Sequence, residues 1–164
     1  MVAPPITLMF RLASVLFRKS MPKLKGDWYY LLQTEKSSHG GYLGMVVRYS
    51  AKVIQDGNWV HGRGEKIDEA SRAKGTFAYL HRNRVQAKFE GVIRFNLRSL
   101  RWEVDLVVDE NGHKTGRQSH GDQHLVEFSA STMAGQFSST AADSSGVVYW
   151  SREKPPLPIF DKNG

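Results

Sequence analysis

From Asp27 onward, apolar and polar side chains alternate with a period of two, as they do in strands that bury one face. Residues 28–32 form the first such stretch. Residues 45–55 place Val47, Tyr49, Ala51 and Val53 on one side and Arg48, Ser50 and Lys52 on the other. Asp56-Gly57 is a strong hairpin signal, and it returns the chain through residues 59–67. Residues 84–95 alternate again, with Val85, Ala87, Phe89, Gly91, Ile93 and Phe95 together. A tight turn at 96–99 leads into 100–109, where Leu100, Trp102, Val104, Leu106 and Val108 share a face opposite Arg101, Glu103, Asp105 and Asp109.

Shorter strands are predicted at 76–80, 124–129, 132–140 and 146–152, with the last turn at 143–146. Residues 68–74 are polar and read as a helical turn. Residues 111–123 contain no apolar residue and read as a loop. No helix long enough for a parallel crossover separates the strands, so the sheet is antiparallel. The predicted fold is all-β: a single antiparallel up-and-down barrel of about eight strands with a short N-terminal helix. Gly62, Gly64, Gly91 and Gly135 fall inside strands, where a barrel wall coils sharply. The divisions are an amphipathic segment over 1–22, the barrel over 23–153 and a flexible proline-rich tail over 154–164.

A chain of 164 residues supports one domain with a real core. It has no cysteine, which excludes disulfides, thiolate catalysis and cysteine-based zinc sites and fits a reducing cytoplasm. Its net charge of +7 favours phosphates, nucleic acids or anionic lipids as partners. Residues 6–17 are apolar but interrupted by Arg11, and too short to span a bilayer, which takes roughly 20 apolar residues. They read as a helix packed across the barrel or a partner. The alternative is a membrane-surface anchor with Arg11, Arg18 and Lys19 on lipid phosphates, which would make the protein peripheral to a membrane.

Gly26-Asp27-Trp28, with Gly135-Gln136-Phe137 and the closing stretch GVVYWSR at 146–152, resembles lipocalin-like (calycin) barrels. The resemblance implies Trp28 at the barrel's closed end with Arg152 beside it. The layout of Gly-x-Trp-Tyr-Tyr, a long hairpin, Gly-x-Phe and a terminal Val-Tyr-Trp strand also resembles the β-barrel sensor of membrane-anchored effectors in bacterial cyclic-oligonucleotide antiphage signalling. That resemblance covers residues 23–153 and implies a nucleotide-binding barrel. Those effectors carry two transmembrane helices ahead of the barrel, where this sequence has the short stretch 6–17.

No G-x-S-x-G, H-E-x-x-H or phosphate-loop motif is present, so a non-enzymatic role without cofactor is expected. His113, His120 and His124 have no familiar ligand spacing, and no metal site is predicted. Trp59, His61 and Arg63 share one face of their strand. Turned inward, that face would offer a stacking platform, an imidazole and a guanidinium. If Val60, Gly62 and Gly64 point inward instead, the polar set faces solvent. The candidate ligand-binding residues are Tyr49, Trp59, His61, Arg63, Arg84 and Arg94, while Trp28 and Trp102 serve packing. The expected function is binding of a small anionic molecule, with a cyclic nucleotide second messenger as one candidate. The alternative is a nucleic-acid- or protein-binding module acting through its basic outer surface. There Arg72, Lys74, His81, Arg82, Arg84 and Lys88 lie beside Phe77 and Tyr79. The oligomeric state stays open.

Overall fold

The computed structural model of this chain describes residues 21–80, 85–111 and 118–159. Nine strands run in chain order: β1 (Gly26–Lys36), β2 (Val46–Asp56), β3 (Trp59–Ser71), β4 (Gly75–Ala78), β5 (Gln86–Asn96), β6 (Arg101–Asn111), β7 (Gln118–Phe128), β8 (Thr132–Ser139) and β9 (Ser144–Ser151). All pairings are antiparallel. The order β2-β1-β9-β8-β7-β6-β5-β3 returns to β2, closing eight strands into an up-and-down barrel with β4 as an extra strand on β3. This is the predicted fold, and the expected N-terminal helix falls on residues outside those described. β4 and β5 lie end to end along the same side of β3: Asp68 pairs with Ala78, and Glu65 with Gln86. They act as one strand interrupted between Ala78 and Gln86.

The two-residue turn after Asp56, with Gly57 at φ +58°, sets the β2–β3 register. Because paired residues share a face, Val53 opposite Gly62 and Ala51 opposite Gly64 carry Val60, Gly62 and Gly64 inward. Trp59, His61, Arg63 and Glu65 therefore face outward.

Aromatic rings fill the middle of the barrel. Tyr30 stacks between Tyr49 and Trp150, each 4.4 Å away between centroids, and Phe89 meets Trp150 edge-on at 5.6 Å. Each such side chain removed from water is worth roughly 1.5–3 kcal/mol. The buried indoles keep their hydrogen bonds, Trp150 Nε1 donating to Gln123 Oε1 (2.9 Å) and Trp28 Nε1 to the Leu24 carbonyl (2.7 Å). Glycines make room for these rings, as their places in the strands suggest. A Cβ on Gly62 would lie 2.4 Å from the Phe89 ring, and one on Gly91 would lie 1.8 Å from the Asp105 carbonyl oxygen. At the closed end Arg152 stands over Trp28, 3.9 Å from the ring, and donates to the carbonyls of Asp27 and Lys25 (3.2 and 3.1 Å). This is the contact the calycin resemblance implies.

Two segments differ from the sequence reading. β7 begins at Gln118, so the second half of the expected loop 111–123 is strand. Its inward positions are Ser119, Gly121 and Gln123, small or polar residues at the rim that leave no apolar alternation to read. Residues 68–71, expected in a helical turn, are the end of β3. Asp68 sits opposite Arg48 there, and the pair supplies polarity to a covered strand. Among the described residues no helix is long and apolar enough to cross a membrane.

Candidate functional site

The register of three neighbouring strands builds a cationic row on the outside of the wall. Lys52 on β2 pairs with Arg63 on β3, and Arg63 pairs with Lys88 on β5. All three side chains are exposed. Like charges placed directly opposite one another are destabilising, so such a row weakens the empty sheet. Asp27 and Asp109 stand opposite the two ends, at Lys52 and Lys88. Asp109 is already engaged by His120. Among the described residues, none of the three cations forms a salt bridge.

The row crosses a groove of about 510 Å³ spanning β1, β2, β3 and β5. Tyr29, Ser50 and Gln86 add a ring, a hydroxyl and an amide to its lining, Asp27 and Glu65 add two carboxylates, and Ala51, Gly64 and Ala87 contribute small residues. The wall is thin there: a Cβ on Gly64 would stand 3.4 Å from the Tyr30 hydroxyl inside. A guanidinium flanked by two ammonium groups can hold a phosphate or carboxylate by charge-assisted hydrogen bonds. The neutral and acidic groups around it can accept and donate to a polar body attached to that anion.

The sequence-predicted residues do not converge. Tyr49 is inside and fully buried, its hydroxyl donating to Glu110 Oε1 at 2.6 Å. Burial, and then the Glu110 charge, hold that hydroxyl well above the usual tyrosine range. Arg63 lies in the groove, while Trp59 and His61 face outward further along β3. Arg94 is on the outer face of β5, ion-paired to Asp105 at 2.7 Å and to Glu103 at 3.6 Å. Arg84 lies outside the described residues. Lys52 is the residue that sequence reasoning missed as a ligand group, while Lys88 entered it only through the basic stretch. The Asp56-Gly57 turn already placed Lys52 opposite Arg63, so its register was the available signal. Nothing local announces the pairing of β3 with β5.

Among the described residues, the interior void is small, with room for about one water. The void beside Leu32, Val108, Glu110, Ser119, Gln123 and Phe137 measures about 20 Å³. Near the upper rim, Lys66 and Glu69 are ion-paired at 2.7 Å, and the Tyr79 hydroxyl donates to Glu69 at 2.7 Å. Burial alone would raise the Glu69 carboxyl, but the charge and hydrogen bond of Lys66 outweigh it and hold the carboxyl below its ordinary range. These charges are occupied with each other. Among the described residues no group of three or more His, Cys, Asp or Glu could hold a metal ion. His120 and His124 each meet one aspartate, Asp109 and Asp105. No protein-family model matches this chain, and no curated protein or solved structure matches it either.

Proposed function

We propose that this barrel is a non-catalytic binding module whose outer groove takes a small anionic molecule, gripped by Lys52, Arg63 and Lys88. The row of like charges in register carries this reading: Asp27 and Asp109 face only its ends, and a bound anion relieves the central Arg63, which has a lysine on each side. A phosphate-bearing ligand suits the guanidinium fork between two lysines. A cyclic nucleotide adds groups that Tyr29 can stack on and that Gln86 can hydrogen-bond. The ligand lies outside the wall because Tyr30, Tyr49, Phe89 and Trp150 occupy the inside. A cysteine-free binder of such a metabolite belongs in a reducing cytoplasm.

The test is a thermal-shift screen with nucleotides, cyclic dinucleotides, inorganic phosphate and fatty acids at two salt concentrations. A ligand at about 100 times its dissociation constant adds roughly 2.7 kcal/mol of stability. The expected result is a saturable shift by one phosphate-bearing class, lost in Arg63→Ala and weakened in Lys88→Ala. A shift unchanged by Arg63→Ala, or no shift at all, overturns the reading. A second reading draws on Phe77, which is 51% exposed on β4 near Arg72 and Lys74 and could stack on the bases of a nucleic acid strand. That complex would lose affinity steeply as salt rises and would depend on Phe77.

A further inference from the structure

The turn between β5 and β6 exposes what a folded hairpin normally hides. Leu97 is 73% exposed and Leu100 49%. Leu100 also adopts a left-handed backbone, φ 54°, that a bulky side chain rarely occupies. The tip is held in this shape from below. Asn96 Oδ1 accepts from the Arg98 and Ser99 amides (2.9 and 3.2 Å), and Asn96 Nδ2 donates to Glu103 Oε1 at 2.7 Å. Glu103 is buried, so the exposed charges within the turn itself are those of Arg98 and Arg101, with Glu127 of β7 exposed beside Arg101 and Trp102. Behind the leucines, Phe95 and Trp102 meet edge-to-face at 5.2 Å and are half-buried.

We infer that this tip is a docking point for an anionic lipid bilayer. Two leucines on a rigid convex turn would enter the acyl boundary, with Arg98 and Arg101 at the phosphates and the aromatic pair at headgroup level. A protein interface is the poorer fit, since a stable one buries about 800 Å² per partner on a broad matching face. The polarity of the barrel supports the same end. Leu24 N donates to Gln55 Oε1 (2.6 Å), and Gln55 Nε2 donates to the Pro22 carbonyl (3.1 Å). Gln55 closes β2 at the end of the barrel that carries the β5–β6 turn. The described chain therefore enters the barrel at this end, through Pro22 and Leu24. This inference does not depend on the outer groove.

The chain lacks cysteine, so one introduced thiol gives a single labelling site. The full chain carrying Leu97→Cys would be labelled with an environment-sensitive fluorophore. It would be mixed with vesicles of phosphatidylcholine alone or with about 30% phosphatidylserine, an anionic surface that attracts cations. A second labelled chain, Ser138→Cys, reports a position away from the tip. The expected result is a blue shift and brightening at position 97 only, on anionic vesicles only. Flotation of the unlabelled chain should fall at least tenfold in Leu97→Ser/Leu100→Ser and several-fold in Arg98→Gln/Arg101→Gln. Circular dichroism checks that both variants are folded. Absence of vesicle binding overturns the proposal. So does binding in which the position-97 probe stays aqueous, which would assign the contact to residues 1–20. Concentration-dependent dimerisation lost in the leucine variant would assign the tip to a protein contact, and that also overturns it.

Discussion

Two charged rows sit close together on the outside of β2 and β3, and the structure treats them oppositely. Arg48 faces Asp68, its Nε donating to Oδ1 at 2.9 Å and its Nη2 bound to Oδ2. The Arg48 Nη1 also binds the Pro155 carbonyl of the segment after β9, and the neighbouring outward residues Val46 and Ala70 are buried with the pair. Further along β2, Lys52, Arg63 and Lys88 are exposed, alike in sign and without salt bridges among the described residues. The first row is closed by its own complement and by the chain's tail. The second meets carboxylates only opposite its ends, at Asp27 and Asp109, and its central Arg63 has like charges on both sides. Compensated charge under cover reads as architecture, whereas uncompensated charge in a groove reads as recognition.

The comparison breaks most visibly at the covered pair. Arg48→Ala leaves Asp68 buried and uncompensated, and should cost about 3 kcal/mol in urea unfolding. Ligand affinity in the groove should not change. The double change Arg48→Met/Asp68→Leu should recover most of that loss, because an apolar pair of similar volume needs no desolvated charge. A loss as large in the double variant would show that the Pro155 contact, and not the ion pair, holds the segment.

In the open row the order of effects reverses. Arg63→Ala should weaken binding of the phosphate-bearing ligand about tenfold, or about 1.4 kcal/mol by isothermal titration, while the unliganded barrel is stabilised slightly by the loss of two like-charge contacts. The smaller change Lys52→Gln removes one like-charge neighbour. Because it also removes the charge opposite Asp27, the two effects offset and the unliganded barrel should change by less than about 1 kcal/mol while ligand binding weakens.

Alkaline unfolding separates the core from both rows. Tyr30 and Tyr49 are raised well above the ordinary 10.0 by burial first and Glu110 second. A group whose folded value is raised contributes stability that is full below its unfolded value and lost as pH rises through the folded one. Stability should therefore hold to about pH 10 and decline above it, with a shallower decline in Tyr49→Phe than in the parent chain.

Much of this barrel was legible along the chain because strand burial has a period of two. Val47, Tyr49, Ala51 and Val53 were assigned one face by alternation, and they share the interior. The Asp56-Gly57 turn was visible as a hairpin, and Gly62 and Gly91 mark sites where another residue's atoms come too close for a Cβ. The same rule failed at the start of β7, where the inward residues Ser119, Gly121 and Gln123 offer no hydrophobic contrast. The candidate site was less legible. Arg63 could be named, and the Asp56-Gly57 hairpin put Lys52 opposite it, but Lys88 could not be chosen from local pattern.

What the sequence determined by itself is therefore local: which segments extend, which of their faces is apolar, and where the chain must turn. The tertiary structure decided what depends on pairing between distant strands. It turned Trp59, His61 and Arg63 outward, filled the interior with stacked rings, and set Lys52 and Lys88 on either side of Arg63. It also brought Pro155 onto Arg48. All but the Pro155 contact follow from the register of one strand against another, and a shift of one residue would reverse every face.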